Sequence, residues 1–480
     1  MRQPIEIIKP NSFEADNHWY PKALNATIHP MVNFFMNLDV ERMVNRYCHL
    51  NPSVKREKLK EILNYKTKYY HWCGADLINV TTKNGTRKMV VIENNSCPSG
   101  QKSMPLQFDN QEEGGYKSLI ENAFVPFMKC KRGVPKVEGK LAVFYDKNPM
   151  EASGYAHAIA NRFNEEVFYI PFYNDERHDK IRYVNDQFYV FHKKAWHPIR
   201  GVFRYLTKKP WNRLPIRSKT RIFNPIIACL SGGRNKTTAA KAYDMYNADL
   251  NKTGLKINTP ETIWDVNKEE IPLWVKRFGG QAVIKVPYMN AGQGVFPILS
   301  EEQLETFMAK EFTYDRFIVQ SLIGNFNWGT SKEANKLFHV GTIPNARGNA
   351  YVTDIRFMTS TTANGIRPIA IYARRAKKPL KNEIPSEKES WEVLGTNLSI
   401  KLGENQWTSD TSRLLLPDRR DFNKLGLGLD DLIEAYIQTT LSMIAIDKMC
   451  SNLISPKGVL KKRLFKSLND DSKLINEIFE

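Results

Sequence analysis

Val90-Val91-Ile92-Glu93-Asn94-Asn95-Ser96-Cys97-Pro98-Ser99-Gly100 is the stretch whose reading decides the fold. The apolar run Val90–Ile92 has the texture of a strand, and on a strand Glu93 and Asn95 are two apart and share a face. A carboxylate and an amide oxygen side by side are hard ligands suited to magnesium. The same two residues could equally end a strand and cap a turn. Upstream, Ala75-Asp76-Leu77-Ile78-Asn79-Val80 is a second strand. It joins the first through Lys83-Asn84-Gly85-Thr86, a hairpin signal because Asn-Gly tolerates the positive φ of a tight turn. Asp76 then lies on the partner strand as a candidate third oxygen.

Two lysine–glycine elements follow. Ile284-Lys285-Val286-Pro287 puts a lysine on a strand, and Asn290-Ala291-Gly292-Gln293-Gly294-Val295 puts a flexible loop directly after it. Lysine supplies a point charge to phosphate oxygens, and glycines let backbone N–H groups approach them closely. Gly232-Gly233-Arg234-Asn235-Lys236-Thr237 is the other element, which by itself could be an ordinary helix start. The 290–295 loop does not open a helix, and no GxxxxGK[ST] occurs, so dinucleotide-fingerprint and P-loop readings lose ground.

Around these elements the chain divides by texture. Residues 18 to 70 carry helical spacing: Met31, Phe34, Phe35, Leu38, Val40 and Met43, then Lys58 to Leu63. Strand, helix, strand over Gly139–Tyr145, Glu151–Phe163 and Glu166–Ile170 suggests a parallel βαβ unit. A helix around Thr238–Ala242 and a strand at Gln281–Val286 flank the lysines. Further on come a helix at Ser300–Lys310 and strands at Arg316–Gln320, Val352–Met358 and Ile366–Arg374. A polar loop is expected over 377 to 392, an amphipathic helix over Asp430–Ile444, and a basic, fraying tail after Ser451. There is no internal repeat.

With 480 residues, 42% hydrophobic and 25% charged, the composition is that of a soluble globular chain of roughly three domains. No run of about 18 apolar residues is present, and the N-terminus lacks the apolar core of a signal peptide. The six cysteines are scattered without zinc spacing, so free thiols in a reducing cytoplasm are expected. The net charge of +19 is uneven. Residues 177 to 221 hold thirteen Lys/Arg against Asp179 and Asp186, with Tyr183, Tyr189, Phe191, Trp196 and Trp211 among the aromatics between them. That mixture suits a solvated face, an acidic small molecule or peptide, or, less readily, nucleic acid. Nothing in the sequence speaks to oligomeric state.

Taken together, the motifs resemble the ATP-grasp superfamily. Ile-Lys-Val-Pro, Gly-Gln-Gly-Val and Phe-Ile-Val-Gln-Ser look like its lysine strand, phosphate loop and adenine-facing segment. Val-Ile-Glu-Asn-Asn-Ser-Cys-Pro-Ser-Gly looks like its metal-binding strand. Asp354-Ile355-Arg356, Arg374-Arg375 and Asn397 resemble elements that such ligases place around an acyl phosphate. Glu93 precedes Lys285, the reverse of the usual order and similar to the circularly permuted branch that includes glutathionylspermidine synthetase and eukaryotic glutathione synthetase. The chain departs from that branch at Gly74, where those synthetases carry arginine. It departs again at Met289 and Asn290, where glutathione synthetases carry an acidic residue.

The resemblance implies an α/β, circularly permuted ATP-grasp fold. Its segments are a helical part (1–70), metal-ligand strands (71–135), a Rossmann-like basic insertion (136–222), a lid with the lysines and glycine loop (223–330), the rest of the core (331–450) and the tail (451–480). It implies ATP and Mg2+ as cofactors, with Asp76, Glu93 and Asn95 on the metal. Lys236, Lys285, Gly292, Gly294, Gln320 and Asp354 would bind nucleotide. Arg356, Arg374, Arg375 and Asn397 would act on the transferring group. The implied reaction joins a carboxylate to an amine through an acyl phosphate. The substrates would be small molecules or peptides, one of them acidic, with no membrane involved. An ATP-grasp kinase without an amine acceptor, or a basic nucleic-acid-binding protein, are the alternatives.

Overall fold

A computed structural model describes residues 4–108, 110–129, 137–173, 179–206, 211–289, 292–328, 336–401 and 407–479. The chain opens with a short strand, β1 (Glu6–Ile8), and, after a single helical turn at Pro21–Leu24, the helices α1 (Pro30–Met36), α2 (Val40–Leu50) and α3 (Arg56–Leu63). Their starts are locally encoded. Pro30 sits in the first turn of α1 behind His29, whose ring accepts from the Met31 N–H, and Asp39 caps α2 by accepting from the Arg42 N–H. Next come β2 (Trp72–Thr82) and β3 (Arg87–Asn95), then β4 (Lys140–Tyr145), α4 (Pro149–Phe163) and β5 (Val167–Pro171). A meander follows, β6 (Ile181–Val184), β7 (Gln187–His192) and β8 (Ala195–Tyr205), and then β9 (Arg221–Phe223) and α5 (Lys236–Asp249). Further elements include β10 (Thr262–Val266), β11 (Ala282–Lys285), β12 (Val295–Ile298), α6 (Glu301–Met308), β13 (Phe317–Ser321), β14 (Leu337–His339), β15 (Thr353–Thr362), β16 (Gly365–Arg375), α7 (Glu387–Leu394) and α8 (Leu429–Leu453).

Three sheets organise a mixed α/β architecture. In the first, β2 is central, paired antiparallel with β3 on one edge and with β15 on the other, and β16 continues beyond β15. β2 contains no proline, and its first nine residues are buried, as a strand covered on both faces requires. The second sheet is antiparallel in the order β10-β13-β11-β12 and carries Lys285. The third joins β1, β5, β4, β8, β7 and β6, with β9 beside β8. In it β4, α4 and β5 form the expected parallel unit, whereas β6 to β8 run antiparallel.

α8 differs from expectation. It is longer than the amphipathic helix anticipated at 430–444, and eighteen of its residues are buried, because β3, α5 and the N-terminal helices surround it. A helix that is apolar on most sides belongs inside. Asp447 on α8 accepts from the N–H groups of Lys68, Tyr69 and Tyr70 and from the Tyr65 hydroxyl. The tail does not fray: helices Lys462–Leu468 and Ser472–Phe479 bury Phe465 and Leu474. The polar stretch 377–392 likewise contains the start of α7, whose Glu389 and Glu392 pair with Lys378. Among the described residues no helix is long and apolar enough to cross a membrane. The described cysteines are free thiols, and Cys130 lies outside the described residues.

Candidate active site

Period-two alternation, read across paired strands, assembles one face of the first sheet. Asp76 lies opposite Glu93 on β3 and opposite Arg356 on β15, while Gly74 lies opposite Asn95 and Asp354 opposite Arg374. Residues directly opposite share a face, so Asp76, Glu93, Asn95, Asp354, Arg356 and Arg374 all present to the same side. The pairing of β2 with β3 slips by one residue at Ile92, a bulge next to Glu93 of the kind that re-aims side chains beside functional sites. All six line a single cavity of about 340 Å3 between the first and second sheets.

The end of β3 is held rigidly. Asn224, buried, accepts from the N–H groups of His71 and Trp72 and donates to the carbonyls of Trp72 and Ser96, using its whole amide. Glu151 on α4 accepts from the N–H groups of Gly100 and Gln101 and from the Ser99 hydroxyl. The Ser99 carbonyl in turn accepts from the Tyr372 hydroxyl at 2.9 Å and more loosely from Arg356 at 3.4 Å. The Glu93–Gly100 stretch is therefore clamped from three elements.

The acids and arginines form a buried lattice. Arg356 grips Asp76 with two bonds, and Arg374 reaches both Asp76, at 3.0 Å, and Asp354. Burial acts to raise the Asp76 carboxyl, but Arg356 and Arg374 override it and bring it down to about 2. At Asp354 burial wins over Arg374, and the carboxyl rises above its ordinary value. Asp76 is thus engaged with two guanidiniums. Glu93 instead faces Lys236 at 3.0 Å, and Asn95 donates a long bond to the Gly74 carbonyl.

Both lysines arrive from other elements. Lys236 is the first residue of α5, whose cap Asn235 accepts from the Thr238 N–H, and its ammonium also donates to the Met289 carbonyl at 2.7 Å. Lys285 ends β11 and donates to the Ile92 carbonyl at 3.3 Å. Burial pushes the Lys285 ammonium down to about 8, with Glu93 opposing and Lys236 adding to the shift. Gln320 lies opposite Val283 on the same sheet face and donates to the Thr262 hydroxyl.

Gly292 and Gly294 sit where the 290–295 loop leads into β12, while Asn290 and Ala291 lie outside the described residues. Gly292 has φ +75°, and a Cβ there would stand 2.6 Å from the Trp391 ring of α7. Gly294 accepts from the Val286 N–H, closing the turn after Lys285. Asn397 also lines the cavity, with its backbone carbonyl held by Arg413. Arg375 is not brought in. Adjacent residues on a strand face opposite ways, and its guanidinium lies over the Tyr351 ring, 4.7 Å from the centroid.

Several lining residues were not among those the sequence assigned to the site. Lys147 and Asn148 follow β4, and the Lys147 ammonium donates to the Cys97 carbonyl at 2.5 Å. Burial lowers that ammonium to about 8. Ile78, Ile92, Val283, Val295, Pro297, Leu322 and Ile323 make an apolar slot between the sheets, with His339 and Trp391 also in the lining. Isolated aliphatic residues on strands read as core, so only the pairing of two sheets across a gap marks them.

No protein-family model and no curated protein sequence matches the chain. Among solved structures it is similar to a glutathione synthetase-like effector from Globodera pallida in its apo form. The identity is 11%, the match covers 74% of this chain and 87% of that one, and the TM-score is 0.41. It is also similar to a RimK-domain ATP-grasp protein from Sphaerobacter thermophilus, at 11% identity over 48% of this chain and 90% of that one, with a TM-score of 0.29.

Proposed function

We propose that the chain is an ATP-grasp ligase that uses ATP to join a carboxylate to an amine. The observation that carries this reading is the convergence of Glu93, Asn95, Lys236, Lys285, Arg356 and Arg374 on one cavity between two sheets. Two lysines from separate elements suit a polyphosphate, and the apolar slot of Val283, Val295, Leu322 and Ile323 suits a purine.

Magnesium fits the donor set. Mg2+ is ordinarily held by one or two carboxylates together with substrate phosphates, and Glu93 with the Asn95 oxygen supplies that much protein ligation. Asp76, whose carboxylate is shared by two arginines, serves in this proposal to hold those arginines. When bound there by Glu93 and Asn95, the metal would supply positive charge to offset the negative charge that builds on the phosphates. Lys236 would exchange Glu93 for a phosphate oxygen, and Lys285 would regain its full charge beside one. Arg356 and Arg374, fixed by Asp76 and Asp354, would present charged donors to the transferring phosphoryl group and then to the tetrahedral oxyanion. The Gly292–Val295 turn against Trp391 would exclude water, which an acyl phosphate needs because it hydrolyses readily. An acidic substrate and a cytoplasmic setting belong to this same proposal.

The test is ADP release from ATP and magnesium with pools of amino acids, small peptides and polyamines. The product mass separates an amide from a phosphate ester. Glu93→Ala is expected to abolish ADP release while the fold is retained. Activity surviving that change ends the proposal.

A further inference from the structure

The strongly basic stretch has no part in the cavity just described, and the fold gives it a form of its own. β6, β7 and β8 make a three-stranded antiparallel face in which Phe188, Val190 and Ile199 point inward and are buried. Alternation turns Arg182, Tyr189, Phe191 and Trp196 to the other side. Register sets Arg182 opposite Tyr189 and Phe191 opposite Trp196, so the four side chains form one patch. The Arg182 guanidinium lies 4.0 Å from the Trp196 ring centroid and 5.5 Å from that of Tyr189, and the Phe191 and Trp196 centroids are 5.2 Å apart.

Cations frame the rings. Lys180 lies on the strand edge, where its carbonyl accepts from the Phe191 N–H, and Lys193 and Lys194 form the turn between β7 and β8. Both turn lysines have positive φ, 48° and 64°, in a two-residue turn that favours Asn-Gly. The turn therefore presents two ammonium groups at a place where backbone preference selects other residues. Lys180, Arg182, Lys193 and Lys194 are exposed, and among the described residues none of them forms an ion pair.

We infer that this face binds a single strand of nucleic acid, with bases stacked on Tyr189, Phe191 and Trp196 and phosphates on Lys180, Arg182, Lys193 and Lys194. The charge calls for a polyanion, and the rings choose among polyanions. An acidic polypeptide would use the lysines and leave the aromatic face without a role, whereas every base offers a π-face to stack. A duplex keeps its bases paired and hidden from such a face. The inference stands apart from the ligase reading, since none of these residues lines the cavity.

The experiment uses the full chain with fluorescein-labelled oligo(U) and oligo(dT) of about 15 nucleotides, a single-strand site size. Anisotropy gives affinity, and tryptophan quenching reports stacking. Binding of either strand is expected, weakening steeply with salt as cations give up phosphates. Trp196→Ala and Tyr189→Ala should each weaken binding about 10-fold, within the range for one lost stack. The turn pair Lys193→Gln/Lys194→Gln should flatten the salt dependence by about 1.4 units of log–log slope without moving the melting temperature. The inference is overturned by no binding at low salt, by binding that all these variants leave intact, or by a duplex preferred over the single strand. Displacement of the oligonucleotide by polyglutamate as readily as by unlabelled oligonucleotide would assign the face to an acidic polypeptide instead.

Discussion

Arg356 and Asp76 stand opposite each other on neighbouring strands, and their side chains meet in two parallel bonds, Nε to Oδ1 at 2.6 Å and Nη2 to Oδ2 at 2.7 Å. Arg374 closes on the same carboxylate from the next strand at 3.0 Å. The acid is fully enclosed, so its loss would leave two guanidiniums in the sheet with one remaining carboxylate, Asp354.

Asp76→Asn is therefore expected to cost about 3 kcal/mol of stability, the usual scale for breaking a buried ion pair by one partner. Urea unfolding followed by circular dichroism measures it. Because the folded Asp76 carboxyl lies near 2, below its ordinary 3.8, its contribution is present above about pH 4 and fades as the pH falls toward 2. An unchanged denaturation midpoint in the variant would count against this lattice.

Lys285 gives a pH signature. Its folded ammonium titrates near 8 against an ordinary 10.5, so the unfolded chain binds the extra proton between those values. The burial penalty is fully felt below about pH 8 and is relieved as the pH rises toward 10.5. Bound phosphates would restore the charge, so nucleotide binding near pH 8 should take up a proton. Calorimetry in two buffers of different ionisation enthalpy detects that uptake, and Lys285→Met should reduce it, with Lys147 in the same cavity able to contribute the remainder.

Neighbouring arginines should separate cleanly. Arg374→Ala leaves Asp354 buried without its main partner and removes a cavity donor, and turnover is expected to fall by at least about 100-fold, the scale for one charged donor to a developing oxyanion. Arg375→Ala removes a ring contact with Tyr351 and a long bond to the Ala376 carbonyl, and should change turnover by no more than about 3-fold, as for a side chain remote from the chemistry. Equal losses in both variants would contradict the placement.

Gly292→Ala tests the turn. A methyl group there meets Trp391 and forces a side chain into left-handed φ, a strain of about 1–2 kcal/mol. Trp391 is 38% exposed, so the ring can give way, and the global melting point should shift little. ADP release should fall about 10-fold through the misplaced turn, since that strain is worth roughly one decade in rate.

Much of the site was legible because its residues lie on strands with regular alternation. Glu93 beside Asn95, the Asn84-Gly85 hairpin and the lysine of β11 followed from spacing alone. Arg374 and Arg375 did not, because choosing between adjacent strand residues needs the face, and the face is set only by pairing with Asp354. Lys147 sits just past a buried strand in a loop with no pattern of its own. α8 read as amphipathic because polar residues such as Gln438, Thr439, Thr440 and Ser442 interrupt its apolar positions, and only the elements packed around it bury them too. The helices beyond Ser451 were hidden by their lysines, whose charges mask the spacing of Phe465, Leu474 and Ile478.

The pairing of β2 with both β3 and β15 also dictates how the chain must be made. Asp76 and Arg356 are 280 residues apart, so a ribosome releases β2 and β3 as a lone hairpin long before β15 exists. During that interval one edge of β2 is bare over a segment that ends up buried on both faces, the kind of edge that invites pairing with another chain. Closing so long a loop late makes folding slow and leaves the nascent chain dependent on being shielded until its C-terminal third emerges.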